Sequence, residues 1–91
     1  MTAQENRWLR KKRKKPNEWQ AVLDDCNEVI RLAEDLAASD DYPLSGYDYF
    51  RSRIDFLESI ASWIEENEHA TNKQRVAIDN TRSGLEKWLR N

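Results

Sequence analysis

The sequence predicts an all-α fold: a small three-helix antiparallel bundle behind a flexible basic N-terminal arm. Three observations predict it. Apolar residues recur at spacings of three and four over most of the chain, which is the period of amphipathic helices. Only two Gly and two Pro occur in 91 residues, too few for the turn-rich plan of a small β-barrel. Turn formers gather at 39–46, and a short polar stretch lies at 68–71, so the periodic region falls into three pieces. A chain of this length makes one domain at most. The expected division is an arm over 1–16 and a helical bundle over 17–91.

Helix one is expected over about 18–38. Asn17 suits an N-cap, and Gln20 stands three residues later, where a capping box needs it. Trp19, Val22, Leu23, Cys26, Val29, Ile30, Ala33, Leu36 and Ala37 then fall within about 140° of arc, one apolar stripe. Cys26 lies mid-stripe and reads as a small buried hydrophobe rather than a reactive thiol. The segment SDDYPLSG, 39–46, stops this helix and allows a reversal.

Helix two is expected from near Tyr47 to about Asn67. Tyr47, Phe50, Ile54, Leu57, Ala61 and Ile64 make one row, and Tyr49, Phe56, Ile60 and Trp63 make a second beside it. Together they spread over about 200°, wider than one neighbour covers. This is the expected central helix, with apolar surface left for a second copy of the chain or a larger protein. Arg53 falls inside the apolar arc. The preferred expectation is snorkelling to water or pairing with an acid of helix one or of 39–46. The alternative is an interface arginine ringed by aromatics, with Tyr49, Phe56 and Trp63 beside it.

Helix three has the clearest start. Thr71-Asn72-Lys73-Gln74 reads as a capping box, and Ala77, Ile78, Thr81, Leu85, Trp88 and Leu89 share one face. Gly84 at the edge of that face either allows a close crossing or is a tolerated helical glycine. Trp19, Trp63 and Trp88 are expected in or beside the core, with Trp8 apart.

The net charge of −2 hides a block pattern. Residues 1–15 carry seven basic side chains against Glu5, a net +6; residues 16–70 carry three Arg against fourteen acids, a net −11; residues 71–91 return +3. In the arm, Arg7, Trp8, Arg10, Lys11, Lys12, Arg13, Lys14 and Lys15 form the strongest functional signal. Lys and Arg neutralise phosphates and release counterions, giving salt-sensitive and largely sequence-independent affinity. Trp8 can stack on an unpaired base. The competing readings are an import-like address, a solubilising tail, or a tether to the protein's own acidic helices. With Trp8 and Leu9 as its only large apolar residues, the arm is expected to order only on a partner.

Helices two and three also admit a helix-turn-helix reading. Lys73 and Arg75 would then reach phosphates or base edges, with Asn72, Val76, Asp79, Asn80 and Ser83 on the same outward side. Glu65, Glu66 and Glu68 crowd that turn and repel phosphate, so a plain helical hairpin is preferred. Enzyme chemistry is not expected. The single histidine, His69, lies four residues from Glu65, and no further ligand joins them into a metal site. No phosphate-binding glycine loop or nucleophilic triad is present, so neither cofactor nor metal is expected. No apolar run approaches the roughly 20 residues that span a bilayer, and the N-terminus lacks the pattern of a secretory signal. The single cysteine cannot make an internal disulfide, which fits a reducing compartment or at least a fold that needs no staple; the expected setting is cytoplasmic.

The segment FLESIASWIEENEHATNKQRVAIDN, residues 56–80, resembles a helical hairpin of small phage-borne and mobile-element proteins of nucleic-acid metabolism. Phe56, Leu57, Ile60, Trp63 and Ile64, then Thr71, Lys73, Gln74, Ala77 and Ile78, carry the resemblance. It covers about a quarter of the chain and implies a phage or accessory-gene setting. It carries over no catalytic or binding residue. Two functions remain open. One is a non-enzymatic accessory protein that binds nucleic acid through its arm, within a larger nucleoprotein assembly. The other is an inhibitor or adaptor of anti-defence type, whose acidic body docks on a basic nucleic-acid-binding partner.

Overall fold

The computed structural model describes residues 18–90, the Arg90 side chain excepted. The expected arm and the Asn17 cap lie outside the described residues. Three α-helices follow in order: α1 (Glu18–Ala38), α2 (Leu44–Asn67) and α3 (Asn72–Arg90). The helices run up, down and up. α2 packs along α1 as an antiparallel hairpin, and α3 runs parallel to α1. That direction is fixed by two cross-links one heptad apart: Arg75 to Glu18 and Arg82 to Asp25.

α1 forms as its stripe requires. Leu23, Cys26, Val29, Ala33 and Leu36 are buried, with Trp19, Val22, Ile30 and Ala37 packed against them. α2 answers with Phe50, Leu57, Ala61 and Ile64, and α3 with Ile78, Thr81 and Leu85. The Thr81 hydroxyl is the buried polar exception, and it donates to the Ala77 carbonyl at 2.7 Å. A buried hydroxyl satisfied by its own helix carries little desolvation penalty.

Four expectations are corrected. α2 starts at Leu44, three residues before the expected Tyr47, so the turn shrinks to 39–43. Pro43 is the N-cap, with φ −71° and ψ 165°, and its carbonyl accepts from the Gly46 and Tyr47 amides. Gly46, read from sequence as a turn former, is helical. A Cβ there would lie 3.1 Å from the Trp88 ring, so α3 fills the place of its side chain. Trp63 is 40% exposed and stands off the core that Trp19 and Trp88 border. Leu89, placed on the inner face of helix three, is 56% exposed because it lies beyond the last core turn.

The two ends of the bundle are built differently. At the α1–α2 turn, Tyr42, Phe50 and Trp88 meet edge to face, with centroids 5.2–5.7 Å apart. Tyr49 stacks on Trp88 and lies over Gly84, where a Cβ would come 2.5 Å from its hydroxyl. Gly84 therefore marks a close approach. The Tyr47 hydroxyl donates to the Ser39 carbonyl and ties the turn down. At the α2–α3 turn, Glu68 takes a left-handed conformation, φ 50° and ψ 45°, and stops α2. Thr71 and Gln74 then cap α3 reciprocally: the Thr71 amide donates to Gln74 Oε1 at 2.9 Å, and the Gln74 amide to Thr71 Oγ1 at 3.1 Å.

Candidate interaction surfaces

The arm residues Arg7, Trp8, Arg10, Lys11, Lys12, Arg13, Lys14 and Lys15 lie outside the described residues. The remaining candidates fall on two separate faces. Lys73, in the first turn of α3, is exposed. Arg75 is half-buried, and its guanidinium donates to Glu18 at 3.0 Å. Asn72, Val76, Asp79, Asn80 and Ser83 are exposed around them. Arg82, one heptad on, bridges Asp25 and Glu28, the latter at 3.1 Å. Its hydrogen bond to Asp25 raises its pKa further above the ordinary arginine range. Two of the basic side chains of α3 are thus held by acids of α1.

Arg53 does not meet an acid. Among the described residues it makes no ion pair, and its guanidinium lies over two rings of its own helix. The centroids are 4.9 Å away for Phe56 and 5.7 Å for Tyr49. Its Nε is enclosed and has no hydrogen-bond partner. The expected pairing with helix one or with 39–46 is therefore replaced by cation–π contact at i−4 and i+3. Phe56 and Trp63, 38% and 40% exposed, continue this row along the outer side of α2. Beside Trp63 a shallow hollow of about 550 Å³ is floored by Ser59 and Ser62 and edged by Asp55, Glu58 and Glu66. Sequence reasoning named the aromatics and Arg53 but missed the serines, whose small size opens the hollow.

Acids dominate the rest of the surface. On α1, Asp24, Glu34 and Asp35 are exposed; on α2, Asp48, Asp55, Glu58, Glu65 and Glu66 are. None of these pairs with a basic side chain among the described residues. Glu65 and His69 do not share a helix face, because α2 stops at Asn67; His69 turns toward the Trp63 ring instead, centroids 6.3 Å apart. Among the described residues no three acidic, histidine or cysteine side chains gather as metal ligands. Cys26 is fully buried, and its Sγ lies 3.3 Å from the Leu57 carbonyl. Burial, and secondly the charge of Asp25, push its pKa up to about 11. That thiol is no nucleophile at neutral pH. No described helix is long and apolar enough to cross a membrane. No protein-family model, curated protein or solved structure matches the chain.

Proposed function

We propose that the protein is a non-enzymatic accessory factor that binds nucleic acid through residues 7–15, inside a nucleoprotein assembly that its helical body helps to hold. The observation that carries this reading is the division of charge. The helical body exposes unpaired acids on α1 and α2, while Arg75 and Arg82 are engaged by α1. Such a body repels phosphate, and the basic block at 7–15 is left as the phosphate-binding element. The chemistry is phosphate neutralisation with stacking from Trp8, on DNA or RNA without base selection. A phage or accessory-gene origin and a cytoplasmic setting belong to the same proposal.

Deleting residues 1–15 tests it. Binding to a mixed-sequence duplex at low salt should disappear. For the intact chain, log affinity should fall linearly with log salt, by about 0.9 per phosphate neutralised. Binding that survives the deletion would refute the reading and return Lys73 and Arg75 to first place.

The exposed acids of α1 favour a second reading, an inhibitor or adaptor whose body docks on a basic nucleic-acid-binding protein. The arm deletion should leave such a complex intact. Charge reversal at Asp24, Glu34 and Asp35 should break it. Asp25 and Glu28 are unsuitable for this experiment, since they hold Arg82.

A further inference from the structure

We infer that residues 8–15 of this chain dock on the outer face of α2, with Trp8 in the hollow beside Trp63 and the run Arg10–Lys15 against Glu58, Glu65 and Glu66, and that nucleic acid binds by displacing them. The place where the chain enters the bundle argues for this occupant. Cys26 Sγ lies beside the Leu57 carbonyl, across the antiparallel α1–α2 pair. Cys26 is eight residues after Glu18 and Leu57 eight before Glu65, so Glu18 stands about level with Glu65. The segment before Glu18 therefore joins the body at the pole where α2 carries its acids. Counted from Glu18, Lys15 is three residues away, Arg10 eight and Trp8 ten, a reach of about 10, 26 and 33 Å at ~3.3 Å per residue. Along α2, the span from Glu65 to Asp55 is only about 15 Å at ~1.5 Å per residue.

The face and the segment also match in chemistry. From 54 to 68 the chain holds Asp55, Glu58, Glu65, Glu66 and Glu68 and no lysine or arginine. All five acids are exposed, and none pairs among the described residues. Residues 10–15 are six basic side chains in succession. Glu58 and Glu65 lie about 160–180° around the helix from Tyr49, which packs on α3, so α3 leaves that flank open. The hollow supplies the apolar part: Ser59 and Ser62 floor it, Trp63 walls it, and Asp55, Glu58 and Glu66 edge it. Trp8, two residues before the basic run, brings a ring to Trp63 while the cations meet the acidic edge. A segment tethered this closely acts at an effective concentration on the order of millimolar, ahead of a free basic partner.

The docking does not depend on what else residues 8–15 bind; the displacement rests on the proposed nucleic-acid reading. Docked cations are held on carboxylates, so phosphates must replace those acids. Duplex affinity is then lowered by the docked fraction.

Nuclear magnetic resonance of the full chain, without nucleic acid, tests the docking. Gln4→Cys carries a nitroxide, while Cys26 is buried and stays unlabelled in a brief reaction. At low salt the label should selectively erase the amide signals of α2 between Asp55 and Glu66. In 1 M salt, where the Debye length is about 3 Å, they should return. Glu58→Gln, Glu65→Gln and Glu66→Gln together, all at exposed positions, should bring them back at low salt. Signals weakened evenly on all three helices around the Glu18 pole, or not weakened at all, overturn the docking. Equal loss when the label and the isotope are on different molecules also overturns it, since the segment then reaches a second copy. The triple variant should bind a mixed-sequence duplex about threefold or more tightly than the parent. Asp24→Asn, Glu34→Gln and Asp35→Asn change the net charge equally and should gain less; equal gains overturn the displacement and assign both to general repulsion. A chain that docks residues 8–15 but binds no duplex, even as the α2 triple variant, refutes the proposed function and the displacement, while the docking stands. Duplex binding lost on deletion of 1–15, without docking, overturns this inference and leaves the proposed function standing.

Discussion

Cys26 and Arg53 both lie within apolar arcs, and they show how far a helical wheel can be read. Cys26 was legible because its environment depends only on which side of α1 faces inward. Every residue of that stripe is buried or packed on the core, and the thiol has no exposure. Labelling by a soluble thiol reagent should therefore be slow in the folded state and fast in denaturant; equal rates would mean that α1 opens at Cys26. The shifted pKa adds a pH effect. The thiol ionises near 9.0 when unfolded and near 11 when folded, so over that window the unfolded chain gives up its proton first. Stability should fall as pH rises from 9 toward 11, and Cys26→Ala should remove that component of the slope. Arg53 was only half legible. Its place in the arc was visible; of the two preferred expectations, snorkelling or an acid partner, the acid is not met among the described residues, and Nε is enclosed. The rings that receive it stand at i−4 and i+3, a local pairing that sequence spacing already contained.

At the level of helices, legibility followed the range of the interactions that set each boundary. The start of α3 is set by Thr71 and Gln74, three residues apart, and the sequence displayed it. Thr71→Ala should cost about 1 kcal/mol in a urea titration, the usual worth of an N-cap. A loss below a few tenths would show that the cap is dispensable, α3 being held by packing alone. The start of α2 is marked by Pro43, whose carbonyl accepts from the Gly46 and Tyr47 amides, and Trp88, more than forty residues downstream, packs beside Gly46. Locally, Pro-Leu-Ser-Gly reads as a turn. The indole fills the space beside Gly46, where a Cβ would come within 3.1 Å of its ring, so the position has little room for a side chain. Trp63 was misplaced for a related reason. The wheel showed two rows on α2, but how much of the second row is covered depends on how α3 lies along it.

For the molecule as a whole, charge was readable as blocks but not as partners. The sequence showed an acidic middle and a mildly basic end. The structure divides those acids into two uses: Glu18, Asp25 and Glu28 hold α3, while Asp24, Glu34 and Asp35 face outward. The Arg82 pairs are about one-third exposed on the Arg82 and Asp25 sides, so screening limits their worth. Arg82→Leu should lower stability by no more than about 1 kcal/mol. The difference from the parent should shrink in high salt; a salt-independent difference would assign the loss to packing of the arginine stem. The candidate nucleic-acid residues were legible as composition alone, because a basic run gains its meaning from what it touches.

An odd number of helices leaves the beginning of α1 and the end of α3 at opposite poles. A tensile force applied at Glu18 and Leu89 therefore pulls along the bundle axis and slides α1 past α3. The rungs Glu18–Arg75 and Asp25–Arg82, seven residues apart on both helices, are then strained in the same instant. The two helices cannot be peeled apart one rung at a time from a shared end. Mechanical rupture is governed by the unfolding rate, and loading in shear makes that rate depend on the whole α1–α3 seam at once. Attached at Glu18 and Glu68, near the same pole, the chain would instead open from its α2–α3 turn, at lower force.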